Sequence, residues 1–432
     1  MAIADVPEVG EAKRSERPRL VDALGPGLIT GASDDDPSGI ATYSQAGAAF
    51  GFALIWTLLF TYPLMCAIQL ISAEIGRVTG KGLAANMRNC YPASALYALV
   101  ALLVLANVVN IGADLGAMGA SLRLILPGPQ WAYVAGFAML IAALEVFMRY
   151  ASYASVLRWL TLSLFAYVAT VFVVGVPWGT VAIHLVVPHI EWTAAYFTIV
   201  VAVFGTTISP YLFFWQASQE VEEEIGNPAA KPLLLSTADA PRELRRIRLD
   251  TFVGMAASNL VALFIVLTTA VTLNVHGVTN IETAADAARA LKPIAGAFAF
   301  AVFALGVVDT GLLAVPVLAG STAYAVGEAL GWPIGLDERP GRAPAFYLAI
   351  IAGIVIGALL NFSPLDPIKA LIFSAVVNGV AAVPMMAMIM LMASRRKVMG
   401  EFALKPWLKA LGWMATAVMA AAAVGMIATW GA

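Results

Sequence analysis

Long runs of unbroken apolar residues recur along this chain, and they restrict its fold more than any other feature. "YALVALLVLANVV" (97–109) and "AFYLAIIAGIVIGALL" (345–360) are two of them. An apolar helix of about 20 residues crosses the hydrocarbon core of a bilayer. There a backbone must satisfy its own polar groups, so helices and closed barrels alone can span it. Eleven hydrophobic segments are read, at roughly 20–52, 53–76, 92–123, 130–148, 153–176, 192–220, 249–275, 294–326, 343–361, 366–393 and 406–430. Of the 432 residues, 61% are hydrophobic and 12% charged, against roughly 45–50% and about 25% in soluble domains. The expected class is an all-α polytopic membrane protein with eleven transmembrane helices.

The lysines and arginines orient these segments, because cytoplasmic loops collect them. With the N-terminus inside, 21 of the 25 fall in the tail and alternate loops, including Lys13, Arg77, Lys231, Arg246, Arg339 and Arg395. Arg123, Arg289, Lys292 and Lys369 fall on or near the other side. An odd number of spans then puts the C-terminus outside, and a plasma (inner) membrane is expected. The polar start "MAIADVPEVGEAKRSERPRL" has no apolar h-region and is read as a cytoplasmic tail, 1–19, rather than a cleavable signal. The loop 221–248 opens acidic ("EVEEEIG") and closes basic ("RELRRIR"), and a solvated linker is expected there. Cys66 and Cys90, in a helix and a cytoplasmic loop, have no metal-ligand spacing and no expected disulfide. A net charge of −2 gives no reason to expect a nucleic-acid partner.

Two segments are interrupted. "GASDDDPSGIATYSQ" (31–45) places three carboxylates, a proline and a glycine inside the first, and "GTTISPY" (205–211) breaks the sixth. A proline removes an amide donor and clashes with the preceding turn. The carbonyls it frees survive in a membrane only where protein, water or an ion covers them. Two Gly/Pro-broken segments, five apart, indicate an inverted-repeat transporter with its site at the breaks. The repeats are expected at 20–176 and 192–393, with an eleventh helix at 406–430. Intramembrane carboxylates are costly and usually functional, so a central cation site is expected, with Asp36 as its charge and broken-helix carbonyls as further oxygens. No nucleophile–base set is found, and an enzyme is not expected.

At these residues the chain resembles the Nramp family of divalent-metal transporters. "LGPGLITGASDDDPSGIATYSQAGAAFGFALIW" is similar to its first helix, with the motif Asp-Pro-Gly-Asn. "GTTISPYLFFWQASQ" is similar to its sixth, where Met-Pro-His is usual, and "SRRKVMGEF" to the loop before the last helix. The resemblance implies the LeuT-like inverted repeat, five helices twice plus one, and transport of Mn²⁺ or Fe²⁺ with protons. It also implies a metal site at Asp36, Gly39, Thr206 and Ser209. Here Gly39 replaces the motif's asparagine, Ser209 the methionine and Thr206 an alanine. A thioether favours transition metals, whereas hard cations prefer oxygen. Glycine for asparagine is expected to widen the cavity for an ion that keeps its waters, as Mg²⁺ does. The pattern is most similar to the Nramp-related magnesium-transporter branch.

The proton machinery that the resemblance implies is altered. In "NIGADLGAMG" the family's third-helix aspartate is Asp114, and its glutamate is Ala117; the two sixth-helix histidines are Tyr211 and Gln216. Asp114 is read either as a titrating group or as a structural hydrogen-bond partner. At about 100° per residue, Asp34, Asp35 and Asp36 cannot all face one point, so at most one neighbour joins Asp36 and the others line an approach. Asp309 is read as a vestibule or second ion contact, or as a structural pair with a polar neighbour. Asn378, one turn from Ala375 at a position where the family often has glutamine, is a candidate for an oxygen or a bound water. No cofactor is expected beyond the transported cation, Mg²⁺ or Mn²⁺. The remaining partners expected are the lipid bilayer and no second subunit. Two other readings stay open: a standard proton-coupled Mn²⁺/Fe²⁺ symporter, and sodium-coupled uptake of a small solute.

Overall fold

The computed structural model describes residues 26–148, 165–227, 230–362 and 366–430. The expected tail 1–19, residues 20–25 of the first segment and 153–164 of the fifth lie outside the described residues. The helices are α1 (Pro26–Asp34), α2 (Pro37–Phe50), α3 (Ile55–Thr79), α4 (Leu83–Cys90), α5 (Ala93–Leu122), α6 (Gln130–Phe147), α7 (Phe165–Val173), α8 (Trp178–Val186), α9 (Ala194–Thr207), α10 (Pro210–Gly226), α11 (Ala240–Thr272), α12 (Ala299–Leu330), α13 (Pro344–Leu360), α14 (Pro367–Ala393) and α15 (Pro406–Thr429). Short helical turns fill much of 274–298 and 396–402. Proline supplies the punctuation. Pro37, Pro210, Pro344, Pro367 and Pro406 each open a helix, where the missing amide costs nothing and the fixed φ is already helical.

Among the described residues, eight helical stretches are long and apolar enough to cross a membrane, counting α9–α10 as one. The 17-residue α13 is a shorter apolar helix, and the first segment is divided between α1 and α2. Burial separates centre from periphery: the apolar window of Ala194–Gly226 is 94% buried, that of α6 only 22%. The broken segments are therefore central. Leu105, Met139 and Phe172 point outward, as lipid-facing side chains do.

α5 runs through the middle and packs on α12, α13 and α14. α1 lies along α11, and α10 lies along α3. Close helix contacts need small residues: a Cβ at Gly31 would collide with the Gly254 carbonyl of α11, and one at Gly205 with the Ala375 carbonyl of α14. Both breaks are thus clamped backbone to backbone.

Two expectations are corrected. The two ends of the stretch 221–248 are not a solvated linker, because they continue α10 and α11 and several of their charges pair inward. Arg246 of α11 meets Glu220 at 2.7 Å and Glu223 at 3.0 Å, and Arg77 of α3 meets Glu224 at 2.8 Å. The acidic and basic ends are complementary in space, so they extend the helices instead of loosening them. Cys90 closes the short helix α4 rather than sitting in a loop.

Candidate cation site

The first break falls between Asp34 and Pro37. Asp36 takes an extended conformation there (φ −70°, ψ 169°) and caps α2. Its Oδ1 accepts from Ser38 Oγ at 2.6 Å and from the Gly39 amide at 2.7 Å. Its Oδ2 accepts from Asn110 Nδ2 of α5 at 2.8 Å. The carboxylate is buried, and the positive end of α2 helps to hold its charge. Asp34 and Asp35 turn to α11 instead: Ser258 Oγ lies 2.6 Å from Asp34 Oδ2 and 3.3 Å from Asp35 Oδ1. The chain leaves the helix after Asp34 and is extended at Asp36, so this aspartate faces α5 while its two neighbours face α11.

The second break is neutral. Ser209 holds the cap position of α10 but does not cap it. Its hydroxyl reaches back to the carbonyls of Gly205 and Thr206, at 2.7 and 2.9 Å. These are carbonyls that the end of α9 leaves without intrahelical donors. Thr206 meets the first break at Gly39, where a Cβ would stand 3.1 Å from Thr206 Oγ1 and 3.3 Å from Tyr43 Cε2. Glycine here therefore does not widen a cavity; Thr206 and Tyr43 take up the space. Tyr211 ties the breaks together from the other side, donating to the Ser33 carbonyl at 3.0 Å.

Several expected residues join this centre. Asp114 lies within electrostatic reach of Asp36. Asn378 is buried, and neither amide atom has a hydrogen-bond partner among the described residues. It sits on the stretch of α14, between Ala375 and Gly379, that touches Gly205. Asp309 is buried in α12 with both oxygens unpartnered among the described residues, and so stands apart from the hydrogen-bonded cluster at the breaks. Gln216 accepts from Gln69 Nε2 at 2.5 Å and donates to Thr251 Oγ1 at 3.0 Å, a neutral chain linking α3, α10 and α11. Among the described residues, no three His, Cys, Asp or Glu side chains gather as a metal site. A cation here would meet one carboxylate and neutral oxygens.

Asn110, Ser38, Ser258 and Tyr43 escaped the sequence reading. Only Asn110 had a local signal, one turn before Asp114 in a largely apolar helix. Ser38 and Tyr43 act on Asp36 and Gly39 close by in sequence but are residue types that carry no signal in an apolar run. Ser258 meets Asp34 from 224 positions away.

A family model described as "Nramp: Natural resistance-associated macrophage protein-like" matches residues 27–429. The chain belongs to the Nramp family. It is 24% identical over 420 residues to the divalent metal cation transporter MntH of Klebsiella pneumoniae (strain 342), covering 94% of each chain. In structure it is similar to a manganese transporter of Eremococcus coleocola crystallised with an aromatic bis-isothiourea compound (TM-score 0.71, 16% identity, 98% of this chain and 88% of that one). It is also similar to Mhp1, a nucleobase-cation-symport-1 family transporter (TM-score 0.56, 14% identity, 94% and 93%). The fold of this Nramp chain is thus LeuT-like, as the resemblance implied. The proteins it matches are transporters, not enzymes.

Proposed function

We propose that the protein carries divalent metal cations across a membrane by alternating access, taking hard ions: Mg²⁺ first, with Mn²⁺ also accepted. The single observation behind this reading is the pairing of the two breaks, one offering the Asp36 carboxylate and the other only hydroxyls and carbonyls. The family membership and the names of the relatives support the class of substrate. The absence of a thioether at Ser209 supports the hard ion, since soft ligands are what select transition metals. One carboxylate with neutral oxygens suits an ion that keeps water, as Mg²⁺ usually does.

In this reading Asp36, Thr206 and Ser209 face the ion, and Gly39 takes part through its backbone, with its amide committed to Asp36. Asp34, Asp35 and Asn378 form the surrounding polar shell, Asp309 belongs to a separate vestibule, and Asp114 is the coupling candidate of the second reading below. The repeats comprise 20–176 and 192–393, and a single chain suffices as a monomer. The N-terminus faces the cytoplasm and the C-terminus the outside of the plasma (inner) membrane.

A second reading, proton-coupled Mn²⁺ transport, is favoured by Asp114 standing near Asp36 and by the manganese transporters among the structural neighbours. Uptake into proteoliposomes, with Mg²⁺ and Mn²⁺ compared while internal pH is followed, separates the two. Mg²⁺ entry without acidification is expected. Mn²⁺ entry alone, with acidification, would overturn the hard-ion reading and leave the second one standing.

A further inference from the structure

Asn107, Asn110 and Asp114 are buried polar residues at helical spacing along α5. Asn107 is spent on structure: its Nδ2 lies 3.2 Å from the Leu318 carbonyl and 3.0 Å from Thr322 Oγ1, both on α12. Asn110 differs in its partner. Its Nδ2 donates to Asp36 Oδ2 at the first break, and its Oδ1, like that of Asn107, is buried with no hydrogen-bond partner among the described residues. A buried polar atom without a partner carries a cost, and a cation that met this oxygen would relieve it.

The two oxygens of Asp36 are not equivalent. Oδ1 is held within its own helix by Ser38 and the Gly39 amide, whereas Oδ2 has Asn110 as its partner from another helix. A cation reaching Asp36 takes the less encumbered Oδ2 and meets the Asn110 amide there. An N–H donor repels a cation, but a half-turn about the last side-chain bond exchanges nitrogen for oxygen in nearly the same volume. Amide oxygens are good ligands for hard divalent ions. Gly39 cannot supply one, and Thr206 and Tyr43 crowd the place where its side chain would start.

We propose that Asn110 is a ligand of the transported cation through Oδ1, and that its N–H contact with Asp36 is what the cation displaces. The inference rests on the reading of Asp36 as the ion's anchor.

The test is Mg²⁺ and Mn²⁺ binding to the purified full chain by calorimetry, with melting temperature measured for every variant. Asn110→Ala is expected to weaken both ions by about tenfold or more, the scale of one lost contact to a charged group. Asn110→Asp has the same shape, offers oxygen and cannot donate when ionised; it is expected to bind within about threefold of the parent or more tightly. A residue that only positions Asp36 as a donor predicts the reverse, with Asn110→Asp as poor as Asn110→Ala or worse. That outcome overturns the proposal, as does unchanged binding in Asn110→Ala. Should Asn110→Ala fail to fold, the comparison of Asn110→Asp with the parent decides alone. Asp36→Ala is the separate control: parent-like binding there would sink the anchor reading itself, whatever the Asn110 variants do.

Discussion

Two carboxylate clusters among the described residues, one wholly and one partly buried, are balanced in opposite ways. At the end of α10 and the start of α11, Glu220, Glu223, Glu224 and Glu243 face the guanidinium groups of Arg77 and Arg246. At the first break, Asp34, Asp35 and Asp36 have hydroxyl and amide donors around them, and no salt bridge found among the described residues reaches them. Burying a charge is tolerable when it is paired. A cluster that carries its own cations is a fastening. One that carries only neutral donors is suited to a cation from elsewhere.

The strongest way to break this comparison is Asp36→Asn. Asparagine still caps a helix, so the melting temperature is expected to hold within a few degrees. Metal uptake is expected to fall to the level of empty vesicles. Uptake preserved in this variant would make the central cluster as structural as the other one.

Arg246→Met tests the opposite side. It leaves Glu220 fully buried with its 2.7 Å partner gone, and breaking a buried pair from one side costs about 3–5 kcal/mol. A clear drop in thermal stability is expected, recovered largely by adding Glu220→Gln. If the single variant is as stable as the parent, the fastening is ornamental.

The difference between the clusters was only half legible in the sequence. Asp36 stood out because a carboxylate beside a proline in an apolar run is costly to bury unless a cation or fixed donors meet it. Thr206 and Ser209 were placed only by the resemblance to the Nramp family, and the structure brings Thr206 against Gly39. The charge run at 221–248 misled, because an acidic end and a basic end look the same in sequence whether they face solvent or one another. Their pairing depends on α3 and α11 meeting α10, which no local pattern encodes. Asn110 was missed for the same reason: its partner lies 74 positions away.

Ser209→Met sharpens the chemistry of the centre with a smaller effect. A thioether adds a soft ligand, so Mn²⁺ is expected to gain about tenfold over Mg²⁺ in competition uptake. The substitution also removes the hydroxyl that serves the Gly205 and Thr206 carbonyls. Ser209→Ala removes it without adding sulfur, and is expected to weaken both ions alike. Equal selectivity in the two variants would exclude residue 209 from the ion's surroundings.

Tyr211→Phe is the mildest change and concerns how the two breaks are held together. The Tyr211 hydroxyl spans from α10 to the Ser33 carbonyl of α1, one residue before the three aspartates. Removing it leaves that carbonyl without this donor, at a cost of about 1 kcal/mol. The ring still fills its buried place, so the fold should survive with a small loss in melting temperature. If the bond fastens α1 in one arrangement, its loss lets α1 separate from α10 more readily. The turnover rate of uptake is then expected to change a few-fold, with ion affinity nearly constant. A change in affinity with the rate unmoved would assign Tyr211 to the site's lining instead. Helix coupling and ion contact would then be carried by one residue, and the second break would contribute more to binding than its lack of charge suggests.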